Sequence, residues 1–461
     1  MSQSQTLFTL TEAAAALNIP MQWPESAITG VSIDTRTLQK GDLFIALSGT
    51  PSGGFSSSFA STGDGHTYLQ MAQEKGAAAA IVSTPNPALT IPQLVVKDTL
   101  LEGLWALARA SRRRMRGKVI GITGSAGKTT TKQMLAAMLG APASPGSYNN
   151  FWGVPLTLCR IPRTAPFAVI EMGMNRPGEI AKLSQLTNPH VAMVVNVRPV
   201  HLEHLGSLEA IAREKLSIAE GLTKDGTLVV PIDLDLRHSP WQGKINLFGD
   251  GADVCALSHK TEGDDYLVTF KVGSEKLQGR LRNGAPHRVY NATAALAAAV
   301  AAGYPAAQAL AQLPNEGAMA SRGTAQTING ITLIDDAFNA NPASMAAGLQ
   351  SLKEKPVQGR KLAVLGDMLE LGTEAETYHK ALLPLTEDLH GVYAIGPHMQ
   401  ALYDLLPEDK RLGWSASPTD FDIQAFASSL QPGDTILLKG SKKMLYVPGI
   451  PAKLAEALKN K

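Results

Sequence analysis

The sequence has 461 residues, of which 44% are hydrophobic and 18% are charged, a composition typical of globular proteins with about two to four domains. A formal net charge of +2 gives no overall attraction to nucleic acid, and two cysteines are too few for a disulfide framework. The N-terminal residues lack a secretion signal and no stretch is long and apolar enough to span a bilayer, so we expect a cytoplasmic location without a membrane span.

Residues 1–97 are predicted to form a small α/β domain. Its predicted elements are a helix at 10–17 and strands at 28–33, 43–47 and 77–82. The triplet Asp34-Thr35-Arg36 follows the first of these strands. An arginine there can bind a diphosphate with two parallel hydrogen bonds, but an ion pair on the surface explains the same residues equally well. A Ser- and Gly-rich stretch at 51–63 is interpreted as a disordered insert that enlarges a loop of this domain.

A second domain is predicted at 98–321, beginning with a helix at about 98–115. The run Arg112–Arg116 contains four arginines at the end of this helix, where cations suit the helix dipole. We expect these arginines to be solvated rather than to form a binding patch.

The most informative stretch is 118–132, in which an apolar strand is followed by a small-residue loop and then by a helical pattern. The loop and the helix start contain Gly124, Ser125, Ala126, Gly127, Lys128, Thr129 and Thr130. Backbone N–H groups of such a loop, together with the helix N-terminus, bind phosphate oxygens. The lysine is expected to reach the β/γ-phosphates and a threonine to hold magnesium. The spacing is shorter than that of a standard P-loop, because Ile122 stands where the first glycine is expected.

Further polar residues follow the next predicted strands of this domain. Glu171 directly follows a predicted strand at 167–170. A magnesium-binding carboxylate is expected at such a position, beside a phosphate loop. His201 follows a strand at 191–195. Without further information it is interpreted as a core or surface histidine, and Lys215, in a predicted helix at 208–220, as solvated.

The rest of this domain combines short strands and helices. Alternating runs after residue 226 predict strands, some of them antiparallel. Asn291 is predicted to open an alanine-rich region, and 292–313 is predicted to form two packed helices.

Residues 322–461 alternate strands and helices and are predicted to form a doubly wound α/β domain without a dinucleotide fingerprint. The predicted strands are 331–334, 362–365, 392–395 and 436–438. Polar clusters follow three of them: Asp335-Asp336 with Asn339 and Asn341, Gly366-Asp367, and Lys439-Gly440-Ser441. Loops at the carboxyl ends of parallel strands bind ligands, so a second binding surface is expected here.

The order of motifs resembles that of the Mur ligases of peptidoglycan synthesis. The matching segments are TGSAGKTT (123–130), NNFWGVPLT (149–157), EMGMN (171–175), VHLEHLGS (200–207), AREK (212–215), DDAFNANPASM (335–345), LGDMLELG (365–372) and LLKGS (437–441). The glycine loop is common to the whole superfamily. The Asn-Ala-Asn-Pro run and the segment 366–372 are typical of the family branch that adds a dipeptide. The branch that adds an amino acid in the preceding step carries an Asp-Asn-Pro-Arg run, which is not found in this sequence.

This resemblance implies three domains: a small α/β UDP-sugar-binding domain, a central P-loop-type ATPase with a mostly parallel sheet, and a C-terminal Rossmann-like α/β domain. It also implies an ATP-dependent ligase that phosphorylates the terminal carboxylate of UDP-N-acetylmuramoyl-tripeptide and joins the acyl phosphate to D-alanyl-D-alanine. A monomer with two magnesium ions is implied. Since an acyl phosphate must be kept from water, we expect the third domain to close on the second, with hinges near residues 98 and 322.

The resemblance also implies roles for individual residues. Lys128 and Thr129 match the phosphate and magnesium positions, and Glu171, His201 and Lys215 match metal-site positions, the last as a carbamate. Asn291 matches an adenine contact and Arg322 a phosphate contact, and Asp336 matches a position that closes over ATP. The residues implied to bind the substrates are Thr35, Arg36, Asn150, Asn339 and Asn341.

The sequence departs from the family pattern at several of these motifs. Thr35 replaces a serine, Ser321-Arg322 replaces Gly-Arg, and His287-Arg288 replaces His-Asn. Ala337-Phe338 replaces Ser-Tyr, which removes two hydroxyls, and Lys442 replaces an arginine, which removes a bidentate fork.

Three other functions remain open from the sequence alone. A P-loop kinase or motor ATPase would not need the first domain, and its ATP turnover would not require an amine. Another amide ligase of the superfamily, such as an amino-acid-adding, folylpolyglutamate or cyanophycin-type enzyme, would share the central motifs. A nucleotide-binding regulatory protein would not need Lys128, Glu171, His201 and Lys215 together.

Overall fold

The computed structural model describes residues 6–48, 63–200, 202–315 and 323–461. Two compact units are distinguished. The first comprises Met1–Asn196, Ala212–Arg282 and Tyr290–Glu316; the second comprises Val197–Ile211, Asn283–Val289 and Gly317–Lys461. The predicted domain boundaries after residues 97 and 321 stay a prediction. The predicted loop at 51–63 lies outside the described residues except for Gly63.

Two small sheets form the start of the first unit. Strands β1 (Phe8–Thr9) and β2 (Ala27–Ile28) pair antiparallel, and β3 (Gly30–Ser32), β4 (Asp42–Ile45), β5 (Ala79–Val82) and β6 (Gln93–Val95) form a parallel sheet in that order. The single strand predicted at 28–33 is wrong, because its two halves pair with different partners. β4 and β5 are buried throughout, as expected for strands covered on both faces.

The large sheet of the first unit positions the phosphate loop. Its strands are β7 (Lys118–Thr123), β8 (Phe167–Glu171), β9 (Val191–Val194), β10 (Thr227–Pro231), β11 (Lys244–Phe248), β12 (Val254–Glu262), β13 (Asp265–Val272) and β14 (Glu275–Leu281). The order is β14-β13-β12-β11-β10-β9-β7-β8, with β12 to β14 antiparallel as predicted for this region. β7 lies parallel between β8 and β9, so the carboxyl ends of these three strands meet at one edge.

The α-helices alternate with the strands in both units. They are α1 (Leu10–Ala16), α2 (Leu69–Glu74), α3 (Ala106–Arg114), α4 (Lys128–Leu139), α5 (Gly153–Arg160), α6 (Glu179–Thr187), α7 (Leu202–Leu205), α8 (Leu208–Leu216), α9 (Pro286–Ala301), α10 (Ala306–Gln312), α11 (Pro342–Glu354), α12 (Ala375–Lys380), α13 (Gln400–Tyr403), α14 (Ile423–Ser429) and α15 (Ile450–Lys459). Shorter turns of 3₁₀-helix are Gly65–Tyr68, Ser217–Gly221, Leu313–Asn315, Gly372–Glu374, Leu383–Thr386 and Glu408–Lys410, and a π-helical segment, Thr99–Trp105, precedes α3.

Helices α9 and α10 confirm the prediction of two helices in the alanine-rich region. Asn291 does not open the first of them, because α9 begins at Pro286 and Asn291 lies in its second turn. Within the described parts of the chain, none of the helices is long and apolar enough to cross a membrane.

The expectation of solvated arginines at the end of α3 is wrong for two of them. Arg112 is 9% exposed and donates from Nε and Nη2 to the carbonyls of Thr187 and Asn188, both at 2.7 Å. These carbonyls end α6, so Arg112 satisfies backbone acceptors that the helix leaves unpaired. Arg114 lies over the ring of Phe8, 3.7 Å from its centroid. Both arginines are therefore part of the packing between elements.

The second unit contains one six-stranded sheet. Its strands are β15 (Thr324–Ile328), β16 (Ile331–Asp336), β17 (Lys361–Gly366), β18 (Gly391–Ile395), β19 (Arg411–Ser415) and β20 (Thr435–Lys439), in the order β15-β16-β20-β17-β18-β19. All pairs are parallel except β15 with β16, and apolar clusters cover the sheet. The predicted α/β fold, with a mostly parallel central sheet and a C-terminal α/β domain, is confirmed. The two edge strands, β15 and β19, were not predicted.

Candidate active site

The phosphate loop has the geometry that its sequence predicts. β7 ends at Thr123, and α4 begins at Lys128 after a left-handed Gly127 (φ +75°). The ammonium of Lys128 folds back over the loop and donates to the carbonyls of Gly124 at 2.7 Å and Ser125 at 3.4 Å. The loop therefore joins a helix N-terminus and a lysine at one edge of the sheet, as a phosphate cradle requires.

Two asparagines from other elements hold this loop in place. Asn196, just after β9, accepts from the backbone N–H of Ala126 at 3.0 Å and donates to its carbonyl at 3.1 Å. Asn291 is 5% exposed, and its Oδ1 occupies the space that a Cβ on Gly127 would need. Asn291 thus contacts the loop, and Asn196 is a residue that the sequence analysis missed. Its position at the end of the strand that neighbours β7 is a signal that would have identified it.

Glu171 is fully buried at the end of β8 and contacts three side chains. Its Oε1 accepts from the Thr129 hydroxyl at 3.1 Å and from Nδ2 of Asn149 at 2.8 Å. Its Oε2 lies 3.2 Å from the ammonium of Lys132, which is also fully buried. The predicted magnesium pair of Thr129 and Glu171 is therefore brought together. Thr130 lies on the same first turn of α4, and its predicted part in nucleotide binding stays a prediction.

Asn149, rather than Asn150, contacts this carboxylate. Oδ1 of Asn150 accepts from the backbone N–H of Gly153 at 2.9 Å, at the first residue of α5. The sequence could not distinguish the two neighbours, because the choice depends on how the turn before α5 directs each side chain. Substrate binding by Asn150 stays a prediction.

Lys215 is buried in α8, which contradicts its interpretation as solvated from the residues alone. It is 2% exposed, and burial, reinforced by the nearby cation of Lys128 and opposed by Glu214, lowers the pKa of Lys215 well below its usual value. A depressed pKa provides the neutral amine that carbamate formation requires. Glu214 accepts from the backbone N–H groups of Gly178 at 2.7 Å and Ile180 at 3.0 Å, and burial raises the pKa of this carboxyl.

Two predicted site residues, His201 and Arg322, lie outside the described residues, as does Ser321. Their predicted roles stay predictions.

In the second unit, the predicted polar cluster lies at the ends of β16 and β20. Asp336 pairs with the ammonium of Lys439, which is 2% exposed. Both Asp335 and Asp336 belong to β16 and do not follow it as predicted. Asn341 is the N-cap of α11 and accepts from the N–H of Ser344 at 2.9 Å, whereas Oδ1 of Asn339 accepts from the N–H of Ala340 at 3.0 Å.

Two of the departures from the family pattern contact each other. The ammonium of Lys442 lies 5.4 Å from the ring centroid of Phe338, and the ring of Tyr446 lies 5.2 Å from that of Phe338. Replacing Tyr and Arg by Phe and Lys thus substitutes a cation–aromatic contact for hydroxyl and guanidinium groups.

The loop after β17, residues 366–372, is packed against the loop after β20. The backbone N–H of Ser441 donates to the carbonyl of Asp367 at 3.1 Å, and Oγ of Ser441 accepts from the N–H of Leu369 at 2.9 Å. Buried His379 accepts from the N–H of Met368 at 3.0 Å. Glu370 has a left-handed backbone (φ +64°), a conformation unusual for a residue other than glycine. This loop is therefore held by long-range contacts.

After β3 in the first unit, Thr35 is buried and Arg36 is exposed. The guanidinium of Arg36 is paired with Asp34, at 2.6 Å between Nη2 and Oδ2. Lys75 donates to the carbonyl of Thr35 at 2.6 Å. A second cation, missed by the sequence analysis, thus lies beside the proposed diphosphate-binding residues.

The residues present fit a magnesium nucleotide. The hydroxyl of Thr129 and the carboxylate of Glu171 are hard oxygen donors of the kind that Mg²⁺ prefers. Over the part of the chain that the structure describes, no group of three or more His, Cys, Asp or Glu side chains has metal-binding geometry. Mg²⁺ usually keeps several phosphate and water ligands, so Thr129 and Glu171 need to supply only part of its coordination.

Taken together, the loop, the buried acid and the parallel sheet define a nucleoside-triphosphate-binding α/β protein of the P-loop type. Comparison with known proteins is more specific. The model of the Mur ligase middle domain matches residues 122–299, and that of the Mur ligase glutamate ligase domain matches residues 322–442.

A UDP-N-acetylmuramoyl-tripeptide–D-alanyl-D-alanine ligase of Bacillus subtilis is 34% identical over 92% of this chain and 92% of its own length. The crystal structure of MurF from Acinetobacter baumannii has a TM-score of 0.81 at 29% identity and covers 97% of this chain and 98% of that one. MurF ligase from Thermotoga maritima, solved in complex with ADP, has a TM-score of 0.75 at 25% identity over 94% of this chain and 98% of that one. This chain belongs to the Mur ligase family, as its motifs indicated.

Proposed function

We propose that this chain is an ATP-dependent ligase that joins D-alanyl-D-alanine to UDP-N-acetylmuramoyl-tripeptide during peptidoglycan precursor synthesis. The observation that carries the proposal is the match, over nearly the whole length, to ligases named for this reaction. The phosphate loop, Glu171 and Lys215 supply the chemistry in the first unit.

The reaction needs an activated acid, because a carboxylate does not react with an amine at neutral pH. A carboxylate oxygen attacks the γ-phosphorus of ATP, the bond to the β–γ bridging oxygen breaks, and ADP leaves. The amine of the dipeptide then attacks the acyl carbon, inorganic phosphate leaves, and the amine loses a proton. The protein contributes chiefly by positioning the groups and by stabilising charge.

Lys128 lies where it can donate to the transferring phosphate instead of to the loop carbonyls. Glu171 accepts the hydroxyl proton of Thr129, which leaves the lone pairs of that oxygen for a cation. Mg²⁺, when bound, offsets the negative charge of the triphosphate. The second ion and the carbamate on Lys215 belong to the proposal. A carbamate converts the lysine from a cation into an oxygen ligand suited to Mg²⁺.

The remaining roles are extensions of the proposal. Thr35 and Arg36 bind the uridine diphosphate, and Asp336, Asn339 and Asn341 approach ATP and the incoming dipeptide. Arg36 is already paired with Asp34, so diphosphate binding has to compete with that ion pair. We propose a monomer located in the cytoplasm.

The experiment measures phosphate release from ATP with UDP-N-acetylmuramoyl-tripeptide present, with and without D-alanyl-D-alanine. The L,L-dipeptide serves as the matched control amine. We expect release to depend on both the tripeptide and the D,D-dipeptide. Phosphate release at the same rate without any dipeptide would exclude the ligase and favour a kinase or a motor ATPase.

A further inference from the structure

Lys132 is a fully buried cation to which no function has so far been attached. It lies on α4, one turn beyond the phosphate-loop residues Lys128 and Thr129, and its side chain is 0% exposed. Its ammonium lies 3.2 Å from Oε2 of Glu171 and also donates to the carbonyl of Gly146. Lys132 therefore joins α4, the end of β8 and the loop that leads to Asn149.

This arrangement divides the two carboxylate oxygens of Glu171 between different donors. Oε2 is directed to Lys132, whereas Oε1 accepts from Thr129 at 3.1 Å and from Asn149 at 2.8 Å. Oε1 is thus fixed by two hydrogen bonds, whereas Oε2 faces the ammonium as an ion pair without a hydrogen bond, so the three side chains together set the direction of the carboxylate. The Thr129 hydroxyl is oriented in turn, because its proton is directed to Glu171.

Stability alone does not account for such a pair. Removing two charges from water is costly, and a well-packed apolar pair of the same size is often at least as stable. In some proteins a buried ion pair instead fixes one defined arrangement of the side chains around it.

We propose that Lys132 is a positioning residue that makes the site selective for Mg²⁺ over Ca²⁺. Mg²⁺ requires nearly ideal octahedral geometry with short bonds, whereas Ca²⁺ accepts flexible sites and bidentate carboxylates. With Oε2 bound to Lys132, Glu171 cannot turn both oxygens toward a cation. The contact between Lys132 and Glu171 therefore disfavours Ca²⁺ and preserves the orientation of Thr129 that Mg²⁺ requires. This inference depends on the nucleotide site proposed above but not on the identity of the amine or acid substrate.

The test is calorimetric and does not use turnover. Affinity for ADP is measured with Mg²⁺ and with Ca²⁺ in the wild type, in Lys132→Met, and in Lys118→Met as a matched control. Lys118 starts β7 and bonds the carbonyl of Ala302, away from Glu171. We expect the ratio of ADP affinities in Mg²⁺ and Ca²⁺ to fall by about tenfold or more in Lys132→Met, as for other residues that orient metal ligands. Lys118→Met should keep the wild-type ratio.

Thermal melting accompanies the binding measurement, because Lys132→Met leaves Glu171 buried without a cation. The double variant Lys132→Met/Glu171→Gln should recover part of the lost Tm without recovering the metal preference. If Lys132→Met melts below the assay temperature, its binding is measured at a lower temperature at which it is folded. Folded Lys132→Met with an unchanged ratio would overturn the proposal, whereas absence of ADP binding to the wild type with either cation would refute the nucleotide site itself.

Discussion

At the scale of single residues, Gly127 is constrained in two ways. Its backbone is left-handed, and a Cβ there would overlap the amide of Asn291. The first constraint is conformational and the second is steric. A second glycine at the same helix has only the conformational constraint, so a comparison of the two positions distinguishes the effects. Gly140, at the other end of α4, is also left-handed (φ +57°), but a Cβ there would meet nothing within 4 Å.

We expect Gly127→Ala to lose ATP binding, because the loop must move away from Asn291. Gly140→Ala should cost only about 1 kcal/mol of stability from backbone strain and leave ATP binding unchanged. Titration calorimetry with ATP and chemical unfolding of both variants test this. Equal ATP affinity in the two variants would show that the contact with Asn291 does not shape the loop.

Lys215 provides a second prediction at this scale. Because burial and Lys128 depress its pKa, its amine should react with carbon dioxide near neutral pH. With ¹³C-bicarbonate, we expect a carbamate carbonyl resonance that is absent in Lys215→Ala and retained in Lys224→Ala, in which an exposed lysine is removed. Lys215→Ala should be nearly inactive and be partly rescued by short carboxylates. A wild-type spectrum without the resonance would remove the carbamate from the mechanism.

At the scale of elements, the N-terminus of α11 depends on Asn341. Its Oδ1 accepts from the N–H of Ser344 in a capping box, so Asn341→Ala should lower the free energy of unfolding by about 1 kcal/mol. Asn341→Ser keeps a capping oxygen but removes the amide, and should retain most of the stability. If Asn341 also binds the dipeptide, the serine variant will raise the KM for D-alanyl-D-alanine; an unchanged KM would limit Asn341 to capping.

Helix α12 contributes a pH-dependent contact to the second unit. His379 is fully buried and neutral: Nδ1 donates to the carbonyl of Ala375 at 2.6 Å, and Nε2 accepts from Met368. Burial lowers the pKa of His379, although Asp367, with a carboxylate oxygen 3.9 Å away, opposes the shift and the ring of His398 lies nearby.

The sign of the pH effect follows from this lowered pKa. The unfolded chain binds a proton below about pH 6.5 where the folded protein does not, so stability is full above that pH and falls as the pH decreases. Chemical unfolding of the wild type and His379→Gln between pH 5 and 8 measures the effect. We expect a smaller loss toward acid pH in the variant; parallel curves would assign the acid sensitivity to other groups.

The sequence predicted those features of the helices and strands that depend on residues close by in the chain. The strand, glycine loop and helix of 118–139 are confirmed, because apolar periodicity and glycine placement are local properties. The polar β15 was missed because its residues are mostly exposed and lack alternation. Lys132, Asn149 and Asn196 were missed as site residues, since their partners lie 14 to 70 residues away. Arg112 was misinterpreted for the same reason: its acceptors lie 75 and 76 residues further on.

At the scale of the whole molecule, two compact units divide the proposed chemistry. The first holds the phosphate loop, Glu171 and Lys215, and the second holds the ion pair of Asp336 and Lys439 with the motif loop at 366–372. Closure of the third domain over the second remains a prediction. The central claim is that the acid is activated as an acyl phosphate before the amine attacks.

The most direct test uses UDP-N-acetylmuramoyl-tripeptide in which both oxygens of the terminal carboxylate are ¹⁸O. The carboxylate oxygen that attacks ATP remains on phosphorus when the amine displaces phosphate. We therefore predict one ¹⁸O atom in each phosphate released in the presence of D-alanyl-D-alanine, detected by ³¹P NMR or mass spectrometry. Release of phosphate that contains no ¹⁸O, with the amide product formed, would contradict the account.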